Sequence, residues 1–150
     1  MIGDLLFYRM HQPTLGDELI TLYEGKHTDF VHVAIQVSDT RKIEASFNGG
    51  VVLNNLSNSR IDATYTPKRR PRGPQLNVLY GIDWLQKQVG QDYGYGDIVD
   101  VLLHYPVFEC HYDCSALAAA FLTKIDALKD TESTFHMYTP QSLADKLGVK

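Results

Sequence analysis

The two halves of the chain carry different hydrophobic periods, and this division is the feature that most constrains the fold. Up to about residue 55, short apolar runs and alternating apolar and polar positions are typical of strands. From residue 74 onward, apolar residues recur every three or four positions, as on one face of a helix. Strands followed by helices predict an α+β fold rather than a doubly wound parallel sheet.

Residues 66–74 separate the two halves and contain three prolines and four basic residues. Proline restricts its own backbone and that of the residue before it, so we interpret the segment as an extended connector. Its basic run extends from Lys68 to Arg72. This run is interpreted either as a solvated loop or as an anion-binding patch. The sequence leaves the role of this run open.

Residues 30–37 show the clearest strand pattern. Its two predicted faces carry the alternating sets Val31, Val33, Ile35, Val37 and Phe30, His32, Ala34, Gln36. A turn at residues 38–40 precedes a second predicted strand at residues 41–47, whose apolar face carries Ile43, Ala45 and Phe47. Shorter strands are predicted at residues 5–8 and from residue 51, and a helix is predicted to open at Thr14.

Four helices are predicted in the C-terminal half. The first begins at Pro74 and ends at Gly90, with an apolar stripe of Leu76, Leu79, Ile82, Leu85 and Val89. Two more are predicted at residues 98–103 and 114–128. The last follows Thr139 and Pro140 and stops at Gly148.

Length and composition bound the remaining possibilities. The 150 residues predict one domain, 1–150, and the net charge of −4 argues against a nucleic-acid partner. No apolar run approaches the ~18 residues of a membrane span, so we expect no integral membrane segment. The first residues carry neither a basic segment nor a long apolar one. We therefore expect no secretory signal and a cytoplasmic location, with a phage-encoded origin left open.

Cys114 is the sharpest candidate for a chemical role. Asp113 is a suitable helix N-cap, which would place Cys114 in the first helical turn. Free N–H groups and the positive end of the helix dipole stabilise a thiolate there, although the Asp113 carboxylate opposes this. A cysteine in this position is a candidate nucleophile. The alternative is a small buried apolar side chain, which is the commonest role of a free cysteine.

His32 is the best candidate for the base that such a nucleophile needs. If the turn centres on Ser38, His32 and Glu44 lie directly opposite each other on neighbouring strands, within hydrogen-bonding reach. Glu44 would then hold the imidazole in one tautomer. This prediction depends on the strand register, because a slip by one residue would move Glu44 to the other face.

Two other roles are considered for the cysteines. Zinc is one, because His104, Cys110, His111 and Cys114 lie within eleven positions, but their spacing matches no closed zinc motif. Thiol redox chemistry is the other, but Cys110 and Cys114 do not form the Cys-x-x-Cys redox motif. We predict neither a bound metal nor another cofactor.

The same residues resemble the papain-like NlpC superfamily of cysteine peptidases and amidases, in its circularly permuted branch. The family order is a tyrosine–glycine segment, an Asp-Cys-Ser-Gly-Leu helix start, a Gly-Asp-Leu strand and a His-Val strand. Here Gly-Asp-Leu comes first, at residues 3–5, and His-Val follows at residues 32–33, with Glu44 on the next strand. A tyrosine–glycine segment at residues 89–96 and Asp-Cys-Ser-Ala-Leu at residues 113–117 come last. The permuted branch includes YiiX-like and lecithin:retinol acyltransferase-like proteins.

The resemblance implies a single papain-like α+β domain with a small antiparallel sheet packed against the helix that carries the cysteine. It implies Cys114 as nucleophile, His32 as base, Glu44 as the orienting residue and Tyr93 near the oxyanion. The backbone N–H of Cys114 would be one oxyanion donor. Ala116 replaces the usual glycine after Cys-Ser, and the insertion at residues 98–112 puts the substrate pocket in doubt.

The expected function is therefore a thiol hydrolase that cleaves an amide bond, in a small peptide such as a cell-wall-derived one, through an acyl-enzyme. A lipid or ester acyl hydrolase or acyltransferase of the same fold is one alternative. A non-catalytic binding or assembly module, for example a phage-associated one, is another. The oligomeric state does not follow from the sequence.

Overall fold

The computed structural model describes residues 1–9, 29–56, 60–68, 74–94, 112–129, 132–135 and 137–150. These residues form an α+β structure, as predicted. The strands are β1 (Leu5–Arg9), β2 (Phe30–Gln36), β3 (Arg41–Ser46), β4 (Gly50–Asn55) and β5 (Ala63–Tyr65). The helices are α1 (Pro74–Gln86), α2 (Cys114–Lys124) and α4 (Pro140–Leu147), with a single helical turn α3 (Glu132–Phe135). The helices predicted from Thr14 and at residues 98–103 lie outside the described residues.

The five strands form one small antiparallel sheet in the order β4-β3-β2-β1-β5. The apolar face packs on α2, as the sequence predicts, because alternate residues of each strand point to the same side. Alanines at three successive positions of α2 let it lie close to the strands. This face buries Leu5, Phe7, Val33, Ile35, Ile43, Ala45 and Val51.

The register between β2 and β3 differs from the predicted one by two residues. Ile35 pairs with Ile43, and Gln36 pairs with Lys42. The turn centres on Asp39 rather than Ser38, because the N–H groups of Val37 and Ser38 both donate to the carbonyl of Arg41. The prediction that His32 lies directly opposite Glu44 is therefore wrong. A shift of two residues keeps every side chain on its face, so Glu44 lies diagonally from His32 on the same side.

A β-bulge at Val31 corrects the predicted start of β2. Tyr8 pairs with His32, but the next residue of β1, Arg9, pairs with Phe30. The extra residue in β2 turns Phe30 to the apolar face, where its ring centroid lies 5.4 Å from that of Phe7. Simple alternation predicts that Phe30 and His32 share a face. The bulge places them on opposite faces, so this prediction is wrong.

The helix α1 begins at Pro74 as predicted but buries a different stripe. Ile82 and Leu85 are buried, whereas Leu79 and Val89 are exposed and the helix ends before Val89. Gly81 lies on the side of α1 that packs against α2, where a Cβ atom would lie 3.0 Å from the Phe121 ring and 2.3 Å from a methyl carbon of Ile125, the residue after α2.

The other element ends follow local backbone signals. Phe47 lies beyond the end of β3 and is exposed. The helix α2 ends at Lys124, two residues before Asp126, whose backbone has a positive φ of 61°. The helix α4 has the predicted Thr139 cap and the predicted Gly148 stop, which has φ 71°. None of the helices in the described part of the chain is long and apolar enough to cross a membrane.

Candidate active site

His32 and Glu44 meet on the polar face of the sheet, opposite to α2. His32 Nε2 lies 2.7 Å from Glu44 Oε2. Because strands β2 and β3 are neighbours and both side chains point to the same side, the diagonal placement still permits a direct hydrogen bond. The structure thus brings together two of the predicted site residues.

Three further side chains, one each from β1, β3 and β4, complete a polar cluster around Glu44. Lys42 Nζ donates to Glu44 Oε2 at 2.8 Å, and Asn54 Nδ2 donates to Glu44 Oε1 at 2.8 Å. Lys42 also donates to the hydroxyl of Tyr8 at 3.3 Å and lies 4.5 Å from the centre of its ring. We refer to Tyr8, His32, Lys42, Glu44 and Asn54 as the Glu44 cluster.

The sequence assigned no role to Tyr8, Lys42 or Asn54. Lys42 carried a signal, because it lies two positions before Glu44 and so points to the same side of β3. Asn54 pairs with Lys42 across β3 and β4, and Tyr8 pairs with His32 across β1 and β2. Their contribution therefore depends on strand order and register, which the sequence pattern leaves open.

The cluster keeps Glu44 ionised. Burial alone would raise the pKa of Glu44, but its hydrogen bond and charge interaction with His32 and its hydrogen bonds from Lys42 and Asn54 outweigh burial. Together they lower the pKa of Glu44 from 4.5 to about 2. An ionised carboxylate only accepts hydrogen bonds, so His32 Nε2 must carry a hydrogen. In the neutral imidazole, Nδ1 then holds the free lone pair and is the basic nitrogen.

Cys114 is the first residue of α2, as predicted. The Asp113 side chain caps the helix by accepting from the N–H of Ala116 at 2.6 Å. Ser115 Oγ donates to Asp113 Oδ1 at 3.0 Å and to the carbonyl of Tyr138 at 2.7 Å. These bonds fix the start of α2 against the segment that leads into α4.

The thiol of Cys114 lies near a split between β2 and β3, the point where the pairing of these strands stops. In β2, the N–H of Gln36 donates toward β1, so the N–H groups of Val33 and Ile35 point toward β3. The pairing of β2 with β3 stops at Ile35, whereas β3 and β4 stay paired over six residue pairs. Beyond that point lies Val33, whose backbone N–H is one of the groups that lower the pKa of the Cys114 thiol. The thiol therefore lies where the two strands part, beside the residue that follows His32.

The environment of Cys114 keeps its thiol protonated. Burial raises the pKa of Cys114 most, and the negative charges of Asp113 and Glu44 raise it further. Hydrogen bonds from the backbone N–H groups of Val33 and Ser115 act in the opposite direction but do not outweigh burial. The prediction of a helix-stabilised thiolate is thus wrong for this structure, since the side chain is sealed from water, with Cys114 only 3% exposed.

Cys114 and His32 are not hydrogen-bonded to each other in this structure, although both are among the described residues. The imidazole side chain of His32 is 27% exposed, while the thiol is covered. The two side chains therefore differ in their access to water.

Tyr93 lies in the same buried core cluster as Cys114. Its ring packs edge-on against Phe47, with the centroids 5.7 Å apart. The N–H of Gly94, the next residue, donates to the carbonyl of Tyr112, two residues before Cys114. Residues 93–94 of the tyrosine–glycine segment thus lie beside the chain that enters α2.

The metal and redox alternatives depend on residues outside the described ranges, namely His104, Cys110 and His111. Within the described ranges, no group of three or more His, Cys, Asp or Glu side chains is placed to hold a metal ion. The basic run also lies outside, apart from the exposed Lys68. Comparison of the chain with protein-family profiles, with curated proteins and with solved structures gives no match.

Proposed function

We propose that the chain is a thiol hydrolase that cleaves an amide bond in a peptide, such as a cell-wall-derived peptide, through an acyl-enzyme on Cys114. His32 is the base and Glu44 orients it. One observation carries the proposal: His32 Nε2 is bonded to Glu44 at 2.7 Å, which leaves Nδ1 as the basic nitrogen. The residue after His32 is Val33, whose backbone N–H lowers the pKa of the Cys114 thiol.

The raised pKa of Cys114 implies that the thiol is deprotonated during attack and not before it. In the proposed reaction His32 Nδ1 takes the thiol proton as the sulfur forms a bond to the substrate carbonyl carbon. The resulting oxyanion accepts from the backbone N–H of Cys114, which has no acceptor within its own helix because it lies in the first turn. Tyr93 lines this side of the site.

Collapse of the tetrahedral intermediate breaks the carbon–nitrogen bond, and the His32 imidazolium gives its proton to the leaving amine. A water molecule then attacks the thioester carbonyl while His32 accepts its proton. Release of the carboxylic acid returns the proton to the sulfur and restores the starting enzyme. Glu44 stays ionised throughout and stabilises the imidazolium that forms twice in each cycle.

The order of elements supports a permuted papain-like domain as the scaffold for this chemistry. A strand that begins after a Gly-Asp pair comes first, strands with a histidine and a glutamate follow, and a helix that begins at cysteine packs on the apolar face. This is the order that the resemblance to the permuted NlpC-like branch predicts. The scaffold assignment is part of the proposal and stands or falls with the chemistry of Cys114.

The test is turnover of peptide aminocoumarin amides and of the matching peptide esters, combined with intact-mass detection of an acyl adduct. We expect turnover in the wild type and a loss of about 10³-fold or more in both Cys114→Ala and His32→Ala. Cys110→Ala, which changes the only other cysteine of the chain, is the matched control and should retain activity. Absence of turnover and of any adduct in the wild type, or turnover that survives in Cys114→Ala, contradicts the proposal.

The buried, protonated thiol supports a second candidate, a non-catalytic binding module with the same scaffold. Such a module would bind a peptide or acyl ligand without forming an adduct. The same experiment separates the two, because a binder shows ligand affinity that Cys114→Ala leaves unchanged. An ester-selective wild type would instead favour the acyl hydrolase or acyltransferase alternative.

A further inference from the structure

We infer that Lys42 is a positioning residue that favours the neutral imidazole of His32, so that His32 meets the Cys114 thiol as a base. This inference rests on the proposed function for its meaning, although its geometry belongs to the Glu44 cluster alone. Lys42 donates to Glu44 and Tyr8, and it acts on His32 through Glu44.

Lys42 and His32 compete for one oxygen atom. Lys42 Nζ and His32 Nε2 lie 2.8 Å and 2.7 Å from the same Glu44 Oε2. While the imidazole is neutral, this oxygen accepts from one cation and one neutral donor. Once His32 takes a proton, two cations share the same oxygen, and their mutual repulsion opposes the protonated state.

Asn54 prevents the carboxylate from relieving this competition. Its amide nitrogen donates to the other oxygen, Glu44 Oε1, at 2.8 Å. Glu44 therefore cannot easily offer one oxygen to each cation, as a carboxylate with a free second oxygen would. The cluster is arranged so that the charge of Lys42 acts on the bond between Glu44 and His32.

Tyr8 holds Lys42 in this position. Its hydroxyl accepts from Lys42 Nζ at 3.3 Å, and the ammonium lies over its ring. The same ring lies 5.6 Å from the His32 imidazole, between centroids, so it fills the space beside both groups. Lys42 is only 4% exposed and cannot swing away into water.

A buried ammonium is costly, which argues that its charge has a role beyond packing. An apolar side chain of similar length would fill the same space without the desolvation penalty. The described charged or titratable groups near His32 or Glu44 are Tyr8 from β1, Lys42 from β3, and Cys114 from α2, whose thiol is affected by the charge of Glu44. Of these, Lys42 is the cation.

The test is a proton–nitrogen NMR titration of the histidine side chains from pH 4.5 to 9 in the wild type and in Lys42→Met. The His32 resonance is identified by its loss in His32→Gln. We expect the pH at which half of the His32 imidazole is protonated to be higher in Lys42→Met than in the wild type, by about one pH unit. The acid limb of kcat/KM should move upward by a similar amount.

Two further variants separate charge from packing. Lys42→Gln keeps a hydrogen-bond donor but removes the charge, so it should shift the His32 titration in the same direction as Lys42→Met. It also replaces Lys42→Met if that variant fails to fold. Asn54→Ala removes a neutral donor from the same carboxylate and should shift the titration by less than a third of that amount. An unchanged or lower His32 midpoint in folded Lys42→Met and Lys42→Gln overturns the inference.

The outcome of this experiment does not depend on whether the proposed function is correct. The NMR titration needs no substrate, so an unchanged midpoint refutes the role of Lys42 even if peptides are hydrolysed. Conversely, a shifted midpoint in a protein that turns over no substrate keeps the electrostatic role of Lys42 and rejects the proposed catalysis.

Discussion

The two faces of the sheet are stabilised by different forces, although the same strands form both. The face toward α2 is apolar, and Val33, Ile35 and Ile43 are sealed from water there. The opposite face carries the Glu44 cluster, in which a buried carboxylate accepts three charged or polar hydrogen bonds. Burial of apolar area is insensitive to pH, whereas a hydrogen-bonded carboxylate is not. We therefore expect the apolar face to contribute stability that does not vary with pH, and the polar face to contribute stability that is lost as the pH falls.

The two faces meet at the split between β2 and β3. Cys114 belongs to the apolar face by its helix, yet the pKa of its thiol is affected by the Val33 N–H of β2 and by the charge of Glu44 on the polar face. A continuous ladder, such as the one between β3 and β4, would separate the thiol from the imidazole by the thickness of the sheet. In the proposed reaction, the end of the ladder is what would allow the Cys114 thiol on one face to approach the His32 imidazole on the other.

Phe121→Ala should have the largest effect and should act only through the apolar face. Phe121 is fully buried in α2, next to Gly81 of α1. Loss of its ring leaves a cavity and should lower the free energy of unfolding by about 4 kcal/mol. Urea denaturation at pH 7 and pH 4.5 measures this, and we expect the same loss at both.

Leu79→Ala is the matched control, because Leu79 is 61% exposed on α1 and its truncation should change the free energy of unfolding by less than about 0.5 kcal/mol. A loss in Phe121→Ala that depends strongly on pH would break the separation between the two faces.

Glu44→Gln should have the next largest effect and should act through the polar face. The pKa of Glu44 is lowered from 4.5 to about 2 in the folded chain. A carboxyl group whose pKa is lower in the folded chain than in the unfolded chain stabilises the fold at pH values above its unfolded-state pKa. This stabilisation is lost as the pH falls through its folded-state pKa. At pH 7 the loss in Glu44→Gln should be on the order of 3 kcal/mol.

The pH dependence is the sharper part of this prediction. The difference in free energy of unfolding between the wild type and Glu44→Gln should shrink as the pH falls from about 4.5 to about 2. Urea titrations at pH 7, 4.5, 3 and 2 measure it. A difference that stays constant over this range would mean that Glu44 acts by shape and not by charge.

The sequence pattern predicts which face a residue occupies better than it predicts its partner. Alternation assigned His32 and Glu44 to one face, and their contact exists although the predicted register was wrong. The error was harmless because it was a shift by two residues, which preserves faces. The register itself depended on two N–H groups that share the Arg41 carbonyl, and no side-chain pattern reports such a bond.

Two features of the site had no signal in the sequence. The bulge at Val31 is an extra backbone residue in β2, and it moved Phe30 to the other face. The burial of Cys114 depends on how the strands and α2 meet in three dimensions, whereas the capping residue Asp113 is a local signal and was predicted correctly. Local signals therefore predicted the helix start, but not the protonation of its thiol.

Substitutions of Asp113 should have the smallest effect on stability. They test whether the negative charge of Asp113 affects the reactivity of the Cys114 thiol. Asp113→Ala removes the cap of α2 and should cost about 1 kcal/mol, whereas Asp113→Asn keeps a capping oxygen and should cost less. Both variants remove a negative charge that raises the pKa of Cys114. Iodoacetamide should therefore alkylate Cys114 faster in both variants than in the wild type at pH 8, as measured by peptide mass spectrometry. Faster alkylation in Asp113→Ala alone would mean that fraying of α2 exposes the thiol, and that the charge of Asp113 does not govern it.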